Sequence, residues 1–143
     1  QQSDFRRSGI TQETCRDFGH AQMGLASSVQ AAETARIQGV DLYAEGEQRL
    51  VAAHEFLADF INRYAVAGAT SQSVVSITET WLCGGSLKLG YWASWEVFHN
   101  HYASRRGYAL PQTQALLYKL RASTLRYNDL QGSWEMLTHA SLP

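Results

Sequence analysis

The segment Cys15-Arg16-Asp17-Phe18-Gly19-His20-Ala21-Gln22 gathers a guanidinium, a carboxylate, an imidazole and an amide within about two helical turns. Arg16 can grip a carboxylate through two parallel hydrogen bonds. His20 can serve as general acid, general base or neutral donor. Gln22 can orient a substrate hydroxyl. Together they suit proton transfer on a carboxylated substrate. The same residues also admit a plain reading: Arg16 and Asp17 pair with each other or cap a helix, and His20 is a satisfied, half-buried ring.

A second group lies in one short stretch: Trp92, Trp95, Glu96, His99, Asn100, His101, Tyr102 and Arg105. Trp92, Glu96 and Asn100 recur at i, i+4, with His99 and Tyr102 alongside. Aromatic faces with amide and guanidinium donors suit a sugar groove, and Trp92, Trp95 and Tyr102 equally suit a core. His99 and His101 make a poor metal pair, because an i, i+2 pair diverges on a helix. His54 sits beside an apolar stripe and reads as structural. His139 either closes over a groove or packs. Asp41 reads as a helix cap and Tyr43 as packing. No phosphate loop, G-x-S-x-G elbow or H-E-x-x-H is present, and no metal or cofactor is called for.

Helices must position these groups. The first is expected from about His20 to Gln38, with small apolar residues on one face and Gly39 as its left-handed stop. The second runs from about Glu45 to Tyr64, where Leu50, Ala53, Leu57, Phe60, Ile61 and Tyr64 follow helical spacing. The third runs from about Leu89 to Arg106, ended by Gly107. The fourth opens on Pro111 and continues to about Ala122. Val66 to Thr80 reads as a connector, with a short extended piece around Val74-Val75-Ser76-Ile77. The fold expected is all-α, built of antiparallel helical hairpins over a single domain spanning residues 1–143.

Hydrophobic residues make up 45% of the 143, charged residues 17%, and the net charge is −1. That composition buries a core and exerts no strong pull on nucleic acid or an anionic membrane. Neither is an expected partner, and an acidic polymer would be held by local Arg and Lys. No segment approaches the ~20 apolar residues of a membrane span. Gln1-Gln2-Ser3-Asp4 lacks an apolar leader core, as a cleaved mature chain or an internal fragment would. Cys15 and Cys83 are either two buried thiols or one disulfide.

Read together, these segments resemble the alginate-lyase domain family of polysaccharide lyases. The stretches that carry the resemblance are Glu13 to Leu25, Ala31 to Ala35, Gln38 to Tyr43, Trp81 to Gly85, Glu96 to Gly107, Leu110 to Thr113 and Trp134 to His139. It implies that the chain is the C-terminal half of an (α/α) toroid, secreted, with Cys15 and Cys83 joined as a disulfide. It also implies β-elimination on a uronic-acid polymer such as alginate or glucuronan. Arg16 and His20 would be catalytic; Asp17, Gln22, Trp92, Glu96, Asn100, Tyr102 and Arg105 would bind substrate. In that family a Tyr follows the Arg by a few residues, and an Asn-His pair precedes it. Here Gln22 and Met23 stand nearest the Tyr position, and no such pair lies upstream. The expected completion is an N-terminal half chain or a homo-oligomer, and the alternative role is a non-catalytic glycan-binding or structural module.

Overall fold

A computed structural model describes residues 9–65, 73–89, 95–121 and 139. The first helix, α1, spans Phe18–Ile37. Asp17 caps it: backbone N–H of His20 donates to Asp17 Oδ1 at 2.7 Å, satisfying one of the donors a helix start leaves open. At its other end Val40 N–H bonds Ala35 O at 2.9 Å and Gly39 N–H bonds Arg36 O at 3.0 Å. Gly39 has φ +85°. This paired closure needs a left-handed residue, and glycine takes that conformation without steric cost.

The second helix, α2, spans Leu42–Tyr64, and Asp41 caps it by accepting from Ala44 N–H at 3.1 Å. The short turn folds α2 back antiparallel on α1. Phe18 packs against Phe56 and Phe60, at 6.4 and 6.2 Å between ring centroids. Tyr43, near the turn, sends its hydroxyl to Val29 O. The small residues Ala21, Ala26 and Ala32 are buried on the α1 face and let the backbones approach closely.

The fold is mostly helical and not purely so. Strands β1, Val74–Ser76, and β2, Ser86–Lys88, form an antiparallel pair with Val75 opposite Leu87. Three residues per strand are too few to register as alternation, so only the first was legible as an extended piece. Leu89, expected to open the third helix, instead extends this ladder: its N–H bonds Ser73 O at 3.0 Å. Cys83, Gly84 and Gly85 all have positive φ in the turn before β2. Cys83 is joined to Cys15, with Cα atoms 5.1 Å apart, so the hairpin is tied to the start of α1.

The third helix, α3, is α-helical over Trp95–His99 and continues as a π-helix over Asn100–Arg105. The i→i+5 bond from Arg106 N–H to His101 O marks the wider turn. Consecutive His101 and Tyr102 are both buried there. The fourth helix, α4, spans Pro111–Arg121. Its open N–H groups are capped from another helix: Glu55 of α2 accepts from Gln112 and Thr113 N–H at 3.1 and 2.9 Å. Phe18, Phe56, Phe60, Trp95 and the α4 leucines 116, 117 and 120 form one core cluster with Leu87. Val29, Tyr43, Phe98, Tyr102 and Leu110 form a second.

Candidate functional site

Asp17 and His20 meet at the start of α1, and Arg16 precedes them with its side chain turned to Glu13. Asp17 uses both carboxylate oxygens on one neighbour: Oδ1 takes the His20 amide, and Oδ2 lies 2.6 Å from His20 Nδ1. Partial burial raises the Asp17 pKa, and the two hydrogen bonds from His20 outweigh it, so the carboxyl sits below its usual value. The ring is therefore held by a carboxylate through Nδ1, with Nε2 on its far side. The His20 side chain is 37% exposed and that of Arg16 62%. Arg16 makes a 3.3 Å contact with Glu13 across the surface. The cap in the plain reading is present, since Asp17 caps α1, but Arg16 pairs with Glu13 and not with Asp17, whose second oxygen meets the His20 ring.

Gln22 was expected to touch substrate and does not face outward. It is buried, and its Nε2 donates to Phe18 O at 2.9 Å, one turn back on the same helix. Its position three to four residues after the start of α1 turns it toward α2, the side away from solvent.

The α3 group divides in the same way. Tyr102 is fully buried and its hydroxyl donates to Tyr43 O at 2.9 Å. Trp95 is core as well. Glu96 is buried and holds Arg121 of α4 in a two-bond fork at 2.6 and 2.7 Å. Asn100 is half-buried, with Oδ1 enclosed and unpartnered among the described residues. Among the described residues, the aromatic face of α3 packs inward against α1, α2 and α4. Trp92 lies outside the described residues.

Arg105 goes to a cluster absent from the expected site. Glu33 is buried on α1 and accepts two bonds from Arg36, at 3.0 and 2.7 Å. Arg105 lies 3.7 Å from the same carboxylate, His139 3.5 Å, and the Tyr43 hydroxyl 3.3 Å. The Arg36 bonds lead in holding Glu33 down at about 2, against burial, with Arg105 and His139 adding to the fall. Burial first, and then Glu33 beside it, pushes the Tyr43 phenol well above its usual range. Only the Glu33/Arg36 spacing hinted at this centre from the sequence. Glu33 lies thirteen residues beyond His20, about 20 Å along α1. Arg105 therefore does not join Arg16 and His20 in one site.

A separate groove of about 1270 Å³ runs along α2, with Leu25 and Ser28 of α1, Glu47 to Ala53 of α2, and Tyr108, Ala109 and Pro111 among its walls. Tyr108 donates a short hydrogen bond to Glu47. No family model matches the chain, and no curated protein or solved structure matches it either.

Proposed function

We propose that this chain supplies the Arg16–Asp17–His20 corner of a lyase-type site acting on uronic-acid polymers such as alginate or glucuronan. The observation that carries it is the 2.6 Å Asp17–His20 contact beside an exposed Arg16. A carboxylate on Nδ1 fixes the imidazole's tautomer and orientation, and Nε2 then acts as the proton-transferring nitrogen. Arg16 neutralises the uronate carboxylate and so acidifies the C5 proton. Loss of that proton expels the 4-linked oxygen and leaves an unsaturated uronate end. The enolate-like intermediate is the charge to be stabilised, and a guanidinium at the carboxylate does that.

The disulfide agrees with a secreted protein, since such bonds persist in oxidising compartments. The packed antiparallel α1–α2 hairpin is compatible with an (α/α) toroid, of which this chain would form the C-terminal half, completed by an N-terminal half chain or by copies of itself. A second reading, a glycan-binding module without catalysis, draws on a buried Gln22 standing where the resemblance expects a catalytic Tyr.

The test is incubation of the chain with polymannuronate, alginate and glucuronan, following absorbance of the unsaturated product. Activity that is lost in His20→Ala and in Arg16→Ala supports the lyase. Binding of polymer without product supports the binding module. Neither binding nor product, with the chain alone or with an N-terminal partner half, overturns both.

A further inference from the structure

We propose that the interface between α2 and α3 is an acid-sensitive latch, in which protonation of His54 and His101 releases α3 from the α1–α2 hairpin. The two rings make the same kind of contact at two places. His54 of α2 lies flat on Phe98 of α3, centroids 3.7 Å apart and planes 3° apart, with Trp95 edge-on at 5.4 Å. His101 of α3 lies flat on Tyr43 of α2, 3.6 Å away and at 10°, with Tyr102 edge-on at 4.8 Å. Both residues are more than nine-tenths buried.

Neither ring has room for a second proton. His54 Nδ1 is 2.8 Å from Leu50 O, and a carbonyl only accepts, so the proton of the neutral ring sits on Nδ1. Among the described residues, Nε2 is buried without a hydrogen-bond partner, and so are both nitrogens of His101. A cation formed at either ring loses its hydration and finds no acceptor for the new N–H. The aromatic faces return part of that loss through cation–π attraction and none of the missing hydrogen bonds.

Nearby charges do not rescue the rings. Among the described residues, His54 meets the Trp95 and Phe98 rings of α3 and Leu50 O of α2, and burial and that carbonyl are what act on it. Around His101, Glu33 of α1 and Asp41 at the start of α2 favour the cation, while Arg105 and Arg106 of its own helix oppose it. Glu33 is already held by Arg36. Burial keeps His54 down at about 4 and lowers His101 in the same direction. Released rings return to about 6.5. Since the docked pKa values are depressed, docking is at full strength above pH ~6.5 and is lost as pH falls toward 4. His54 contributes about tenfold per pH unit inside that window, and His101 adds in the same direction. The α1–α2 contact contains no such ring stack and persists.

The experiment is amide hydrogen exchange on the full chain between pH 7.5 and 4.5, corrected for intrinsic rates. The latch predicts that protection over Trp95–Arg105 falls about 10- to 100-fold per pH unit below 6.5 while α1 and α2 amides stay protected. The His54→Phe, His101→Phe double variant should move that onset down by about a pH unit or more. Flat α3 protection to pH 4.5, or an unchanged onset in the variant, overturns it. Should the variant not fold, ring-proton titration of the wild type decides. Both rings must bind their protons in step with the loss of α3 protection; titration with α3 still docked also overturns it.

Discussion

The two ends of α1 hold their charged groups by opposite strategies. At the N-terminal end, Arg16, Asp17 and His20 are near neighbours in sequence, partly exposed, and tied to the rest of the fold by the Cys15–Cys83 bond. At the C-terminal end, Glu33 collects Arg36, Tyr43, Arg105 and His139 from across the chain around one buried carboxylate. The first arrangement leaves a guanidinium and an imidazole available to a ligand. The second consumes its cations internally and locks α3 to the α1–α2 turn. Charge clustering alone therefore does not mark a functional site; exposure and the locality of the partners separate the two.

The largest effect expected is on the tether. Replacing both cysteines with serine frees a loop of 68 residues. It should cost about 4 kcal/mol on the chain-entropy account, read as a fall in the denaturant midpoint. Amide exchange should quicken first around residues 11–17 and the β-hairpin, and least around Glu33. Uniform quickening along α1 would mean that the two ends are not independently held. Intact mass before and after reduction checks the bond itself: a gain of two protons is required.

Next comes the buried hub. Glu33→Gln leaves Arg36 and Arg105 facing one another without their anion. Arg36 and Arg105 are both more than a third exposed, so solvent screens the loss. About 2 kcal/mol of destabilisation is expected, below the 3–5 of a fully buried pair. The pH dependence follows from the same carboxylate. Its folded pKa, about 2, lies below the ordinary 4.5. Its contribution is complete above pH ~4.5 and is lost as pH falls toward 2. Glu33→Gln should flatten the acid limb of stability in that window and leave polymer binding at Arg16–His20 unchanged. A drop in binding would join the two ends into one site.

The helices were legible because their signals are local. Asp17 and Asp41 cap, Gly39 stops, Pro111 starts, and the α2 stripe from Leu50 to Tyr64 repeats at helical spacing. The Arg16–Asp17–His20 cluster stood out as a polar group, but its pairing was not read: i, i+3 spacing brings Asp17 to His20, and Arg16 turns to Glu13. What the sequence hid was long-range. No local pattern says that Glu55 caps α4 from α2, or that Glu33 draws in Arg105. The aromatic stripe of α3 was visible, and its side was not: Tyr102 and Trp95 fit a groove or a core equally until α2 is placed against them. The π turn added to this, because it changes the angle between successive residues after Asn100.

The smallest effect tests whether the exposed end is a cap or a dyad. Asp17 serves both the His20 amide and the His20 ring. Asp17→Ala removes both and should cost about 1 kcal/mol of stability. Asn caps a helix nearly as well as Asp, so Asp17→Asn should cost only a few tenths, by thermal or denaturant unfolding. Its amide can still meet the ring but carries no charge to hold an imidazolium. If the segment works as proposed, Asp17→Asn spares stability and lowers lyase turnover or polymer binding by tenfold or more. Equal stability losses for Ala and Asn would show that the ion pair with the ring, not the cap, holds this end of α1. Unchanged activity in a stable Asp17→Asn chain would reduce Asp17 to a cap and leave His20 without an orienting partner.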